Sequence, residues 1–108
     1  MASMADPASF SVYIDEVRAG RDLDREQMRL AFELIMTGLV SHEDMAAFLQ
    51  ALAEKGESVE EIVGAADVMN EKVTRVPCAF DCADTCGTGG DGINTFNVST
   101  TAALIAAA

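Results

Sequence analysis

Three capping signals, each opening a stripe of apolar residues, constrain this chain more than any other feature. Asp24 with Gln27, Ser41 with Asp44, and Ser58 with Glu61 each set a short oxygen-bearing side chain three residues ahead of a polar one. The second pair is the weaker variant of the capping box, with Asp in place of Glu or Gln. Behind the caps run Met28, Ala31, Phe32, Ile35 and Met36, then Met45, Phe48, Leu49, Leu52 and Ala53, then Ile62, Ala65, Ala66, Met69 and Val73. Their spacing puts each set on one face of a helix, and Gly38 and Gly56 follow the first two as stops. A further helix precedes them, because Phe10, Tyr13, Ile14 and Val17 share that spacing and Gly20 ends it. Short connections make consecutive helices antiparallel neighbours, so residues 1–76 are expected to form a small helical bundle with solvated acidic outer faces.

The chain changes character at Pro77. Only Asp81, Asp84 and Asp91 of its 18 acidic residues follow that point, and none of its 7 basic ones. A formal charge of −11 without any Lys/Arg cluster argues against a nucleic-acid or acidic-membrane partner, and phosphate chemistry here would need a cation. The hydrophobic share of 50% is enough for a buried core. No apolar run reaches the ~18 residues of a membrane span, and charges occupy the N-terminal stretch where a signal peptide would be apolar. A soluble, cytoplasmic protein is expected. Cys78, Cys82 and Cys86, an odd number in one region, fit reduced thiols rather than a secreted disulfide framework.

Beyond Pro77, residues 83–86 read as a short strand running into Gly87-Thr88-Gly89-Gly90-Asp91-Gly92, and residues 98–108 as a helix of small apolar side chains. Between them stand Thr95, Asn97, Ser99 and Thr100. A glycine-rich loop feeding a helix is an anion site in form: glycine backbone comes close to a ligand, successive N–H groups hold phosphate oxygens, and the helix dipole favours negative charge. Asp91 would repel a phosphate unless it faces ribose hydroxyls or acts through a metal, which points to a phosphorylated sugar with Mg2+. Mg2+ keeps several waters and takes few protein oxygens, so one hydroxyl such as Ser99 suffices as a ligand. A plain surface turn explains the glycines but not the surrounding hydroxyl and amide side chains. Gly87, Gly89 and Gly92 satisfy G-x-G-x-x-G literally, yet Ile93-Asn94-Thr95-Phe96-Asn97 follows instead of a continuing helix, so a dinucleotide site is rejected. A nucleotide P-loop fails for want of Gly-Lys-Ser/Thr.

The stretch DTCGTGGDGINTFNVSTTAALIAAA closely resembles the diphosphate-binding loop of anthranilate phosphoribosyltransferases, tryptophan-pathway enzymes that join anthranilate to phosphoribosyl diphosphate. Upstream, SHEDMAAFLQALAEKGESVEEIVGAADVMNEKV resembles the family's N-terminal helical region. Related pyrimidine-nucleoside phosphorylases have a lysine- and serine-bearing loop variant, and GTGGDG with NVST matches the anthranilate branch better. The resemblance implies that Gly87, Gly90, Asp91, Thr95, Asn97, Val98, Ser99 and Thr100 contact phosphoribosyl diphosphate, that Ser99 also binds Mg2+, and that Gly87 touches anthranilate. It implies further that the anthranilate amine displaces pyrophosphate at C1 of the ribose, with no side chain acting as catalytic nucleophile, and that two copies pair through the N-terminal helices.

The fold class expected is therefore mainly α: a helical bundle over residues 1–76, then, over residues 77–108, the first strand, glycine-rich loop and helix of a truncated α/β phosphoribosyltransferase domain. The ending TAALIAAA has no charge and no polar face, as befits an inner helix of a larger domain. The family's later lysine-containing phosphate loop and acidic metal pair are not in this sequence, so the chain is expected to be a fragment without turnover of its own. Two other readings stand beside this one, a pyrimidine-nucleoside phosphorylase-like protein and a non-catalytic helical dimerisation module. Zinc binding by the three cysteines is set aside for want of a fourth ligand, and they read as small apolar residues near the strand. His42 reads as an exposed first-turn residue and the six methionines as stripe residues.

Overall fold

The computed structural model describes residues 9–89 and 97–108. The chain divides into two compact units, Met1–Thr74 and Arg75–Ala108. Among its described residues the first contains four helices, α1 Phe10–Arg18, α2 Arg25–Met36, α3 His42–Lys55 and α4 Val59–Lys72. Each of the last three starts where its cap places it. Asp24 accepts from the Gln27 N–H at 2.8 Å while Gln27 Oε1 accepts from the Asp24 N–H at 2.9 Å, so the box is closed from both sides. Ser58 and Glu61 close theirs in the same way at 3.3 and 2.7 Å. At α3 only half forms: Ser41 Oγ accepts from the Asp44 N–H at 3.1 Å, but the Asp44 carboxylate takes the Ser41 hydroxyl at 2.8 Å instead of the backbone N–H. Aspartate is one methylene too short to reach back.

α1 packs on α3 and α2 on α4. Between them lie Phe10, Ile14, Val17, Leu23, Met28, Ala31, Leu34, Phe48, Ala51 and Leu52, all buried. The Phe10 and Phe48 rings meet at 5.2 Å between centroids in a tilted arrangement, which ties the first helix to the third. Along the outside of α2 and α4, Arg25 pairs with Asp67 at 2.6 Å, Arg29 with Glu71 at 3.0 Å, and Lys72 with Glu33. Such exposed pairs contribute under about 1 kcal/mol each.

Three expectations for this unit need correction. The main packed pairs are not consecutive helices but α1 with α3 and α2 with α4. Glu61 does not lie on a solvated face: it is fully buried, and its carboxylate accepts from the Leu23 N–H at 2.9 Å, the Ser58 N–H at 2.7 Å and Lys55 Nζ at 2.9 Å. Lys55 Nζ also reaches Asp22 at 2.6 Å. The third stripe is also rotated. The residues of α4 turned into the core are Glu61, Gly64 and Val68, while Ile62 and Met69 stay 57% and 52% exposed. The cause is Gly64, where an added Cβ would stand 2.6 Å from the Arg25 carbonyl oxygen and 3.0 Å from Met28 Cβ. Only glycine lets the two backbones approach this closely, so α4 turns its smallest residue, not its greasiest face, toward α2. In α2 likewise Leu34 is buried and Met36 is 45% exposed. Ile62, Ala65, Ala66 and Met69 instead line an open apolar groove of about 360 Å³ with Met28, Phe32, Leu49 and Leu52.

Gly64→Ala therefore sets helix propensity against packing. Alanine gains about 1 kcal/mol in a helix interior, and the clash costs about 2 kcal/mol. A net loss of about 1 kcal/mol in urea unfolding is expected, whereas stabilisation would show that the contact is not tight.

In the second unit, residues 75–89 have no regular structure and α5 spans Val98–Ala107. The strand expected at 83–86 is not formed among the described residues. A strand exists through hydrogen bonds to a neighbour, and no strand to pair with is formed among the described residues. The local backbone bonds otherwise: Asp84 Oδ1 accepts from the Cys86 N–H at 2.8 Å, an aspartate turn that competes with extension. Cys78, Cys82 and Cys86 are all exposed, not packed as small apolar residues beside a strand. No helix among the described residues is long and apolar enough to cross a membrane.

Candidate functional site

The glycine loop and the start of α5 fall partly within the described residues. Gly90, Asp91 and Thr95 lie outside them, while Gly87, Gly89, Asn97, Val98, Ser99 and Thr100 lie inside. Gly89 holds φ +69, the left-handed region open to glycine at no steric penalty, and space is open where its Cβ would stand. Gly87 is exposed with nothing within 4 Å of a built Cβ, so a ligand can come up against its backbone.

Asn97 caps α5, its Oδ1 accepting from the Thr100 N–H at 3.1 Å. The first intrahelical bond runs from the Thr101 N–H to the Asn97 carbonyl at 3.3 Å. The amides of Val98 and Ser99 precede that bond and have no acceptor within the helix, which leaves them at its positive end. The first turn of α5 carries no acidic residue. An anion placed there meets amide hydrogens and no opposing carboxylate of the helix itself. Ser99 is half-buried and Thr100 exposed.

One contact was not foreseen. Thr85 Oγ1 donates to the Ser99 carbonyl oxygen at 3.1 Å, tying the segment before the glycines to the first turn of the helix after them. A threonine two positions ahead of a glycine loop carries no distinctive sequence signal, because its partner is a backbone group fourteen residues away. The effect is to bring Thr85 against the first turn of α5. His42, set aside from the sequence, opens α3 in an exposed position. Among the described residues no group of three His, Cys, Asp or Glu side chains is arranged to hold a metal ion. Ser99 carries one hydroxyl in the first turn of α5, an oxygen of the kind that Mg2+ takes beside phosphates and water.

The helical bundle domain model of the glycosyl transferase family matches residues 11–73. The chain belongs to that family. The family's a/b domain model matches residues 79–108, the segment of the glycine loop and α5. Among curated proteins, the chain is 47% identical over 100 residues to the anthranilate phosphoribosyltransferase of Petrotoga mobilis, an alignment covering 92% of this chain and 29% of that protein. It is 50% identical over 93 residues to the one from Symbiobacterium thermophilum, covering 85% and 27%. With the enzyme of Rhodopirellula baltica the identity is 44% over 108 residues, covering 98% and 32%. The chain spans about 30% of the length of these glycosyl transferase relatives. No solved structure matches it. The relatives carry the name of the branch that the GTGGDG and NVST words resemble, and not that of the nucleoside phosphorylases.

Proposed function

We propose that this chain supplies the diphosphate-binding loop and the bundle of an anthranilate phosphoribosyltransferase, acting in tryptophan biosynthesis in the cytoplasm. The observation that carries the reading is the start of α5, where Asn97 caps the helix, the Val98 and Ser99 amides precede its first bond, and Thr85 is tied to the Ser99 carbonyl. The relatives' printed name supports the two substrates, phosphoribosyl diphosphate and anthranilate. On this reading Gly90, Asp91, Thr95 and Thr100 join them around the sugar diphosphate, and Gly87 lies against anthranilate.

The chain's own part in the reaction is to bind and orient. Amide hydrogens at the helix end hold diphosphate oxygens, and their partial positive charge favours the pyrophosphate more as it departs and gains charge at the ribose C1. Holding the amine of the acceptor opposite that carbon converts a bimolecular encounter into a positioned one and asks no side chain to act as nucleophile. Bound Mg2+ supplies further neutralisation of the leaving anion. Since the same helix end repels a cation, Mg2+ binds here only together with the diphosphate. Ser99→Ala is therefore expected to weaken Mg2+-dependent binding of phosphoribosyl diphosphate severalfold and to leave binding without Mg2+ unchanged, as read by calorimetry. Equal loss in both conditions would contradict a role for Ser99 at the metal.

The activity is tested on the protein at its full natural length by following anthranilate fluorescence. Decay that requires both phosphoribosyl diphosphate and Mg2+ is expected; no decay, together with release of pyrimidine base from its nucleoside by phosphate, would favour the phosphorylase reading. Two copies are proposed to pair through the bundle, an arrangement supported by the half-exposed Leu49, Ile62 and Met69. Light scattering should return twice the chain mass, and a monomer at micromolar concentration would contradict it.

A further inference from the structure

Cys78 and Cys82 are not used by the reading above, and the chain brings them together. A bend at Ala79 and Phe80 folds the backbone so that both thiols converge on the Phe80 carbonyl oxygen, Cys78 Sγ at 3.2 Å and Cys82 Sγ at 3.6 Å. The two sulfurs stand 3.2 Å apart. Both side chains are exposed, so a small oxidant reaches them without any opening of the fold. Cys86 is exposed as well, but its sulfur makes no contact with either of the other two among the described residues. Two thiols in contact across a bend form a dithiol, and only the covalent bond between them is lacking.

We propose that Cys78 and Cys82 are a reversible oxidation site for hydrogen peroxide, closing to an intrachain disulfide just ahead of the glycine loop. Either thiol can attack first, and both orders end in the same disulfide; with Cys78 attacking, Cys82 resolves. The Cys78 sulfur attacks one oxygen of the peroxide, the O–O bond breaks, and the products are Cys78 sulfenic acid and hydroxide, which takes up the proton Cys78 gave up and leaves as water. The Cys82 sulfur then attacks the Cys78 sulfur, expelling the sulfenic oxygen as hydroxide, which leaves as water with the Cys82 proton. Two thiols and one peroxide give one disulfide and two waters, the dithiol losing the two electrons that the peroxide gains. Contact between the thiols makes the second step intramolecular and faster than further oxidation to the sulfinic acid. In a reducing compartment the resting form is the dithiol, and a disulfide that forms there is transient.

The test uses the chain itself. After exposure to hydrogen peroxide the remaining thiols are alkylated with iodoacetamide, and the chain is cleaved on the N-terminal side of aspartate. Cuts before Asp81 and Asp84 put the three cysteines on three peptides. The expected result is one linked species, the peptide ending at Phe80 joined to Asp81-Cys82-Ala83, lighter by two hydrogen atoms than its separate parts, with Cys86 alkylated. Dithiothreitol should restore two alkylatable thiols. In Cys82→Ser the link should vanish and Cys78 sulfenic acid should become trappable by dimedone, a readout that survives even if the variant is less well folded. Alkylation of all three cysteines after peroxide, a Cys82–Cys86 link, or a link only between chains would overturn the proposal.

Discussion

Glu61→Ala is expected to lower the stability of the bundle by about 2–4 kcal/mol, because it leaves the Leu23 and Ser58 amides without their acceptor and takes from Lys55 one of its three, the others being Asp22 and the Gly56 carbonyl. The Leu23 and Ser58 N–H groups and Lys55 Nζ all donate to that one carboxylate, which no solvent reaches. The loop before α2, the end of α3 and the start of α4 therefore lose a common anchor at once. Urea unfolding of the chain reads the loss, and a change under about 1 kcal/mol would show that water replaces the carboxylate freely. The pH dependence carries the same signature. Burial raises the Glu61 carboxyl, but the Ser58 and Leu23 amides and Lys55 outweigh it and hold the group below the ordinary carboxylate value. A depressed value in the folded state means that the contribution is fully present above the unfolded value and is lost as pH falls through the folded one. The stability difference between the wild-type chain and Glu61→Gln should accordingly shrink on acidification below the ordinary carboxylate range, and a constant difference would contradict the assignment.

What sequence could foresee follows from how local the deciding physics is. The helix starts at Asp24, Ser41 and Ser58 were legible because a cap is settled by side chains three residues apart. The ends at Gly20, Gly38 and Gly56 were legible because each adopts positive φ, at 76, 75 and 86. The rotation of α4 was not, since it depends on how close α2 comes to Gly64, a contact between distant parts of the chain. Glu61 could be read as a capping residue but not as a buried ion, because Leu23 and Lys55 meet it only in the folded bundle. At the site, the Asn97, Ser99 and Thr100 cluster pointed to the helix mouth, whereas the clasp from Thr85 to the Ser99 carbonyl needed coordinates. The strand at 83–86 was misread because its partners are not part of any local pattern.

Gly89→Val is expected to weaken binding of phosphoribosyl diphosphate by about thirtyfold, equivalent to about 2 kcal/mol. Gly89 sits at φ +69, where a β-branched residue is strained, and space around the position is open, so the effect comes from the backbone and not from crowding. The bundle is expected to unfold at an unchanged urea concentration, which separates loss of the loop's shape from loss of the fold. Gly87→Ala, at a position without positive φ and with open space, should disturb phosphoribosyl diphosphate less. Equal affinity for the wild-type chain and Gly89→Val would mean that the left-handed turn plays no part in holding the ligand.

The most direct test of the proposed anion site is a titration of the chain with phosphoribosyl diphosphate, with and without Mg2+, followed through backbone amide resonances. The account predicts saturable shifts at Gly87, Gly89, Val98, Ser99 and Thr100, stronger with Mg2+ present, with α2 and α4 unmoved and Mg2+ alone without effect. Shifts absent from the start of α5, or produced there by Mg2+ without the diphosphate, would contradict it.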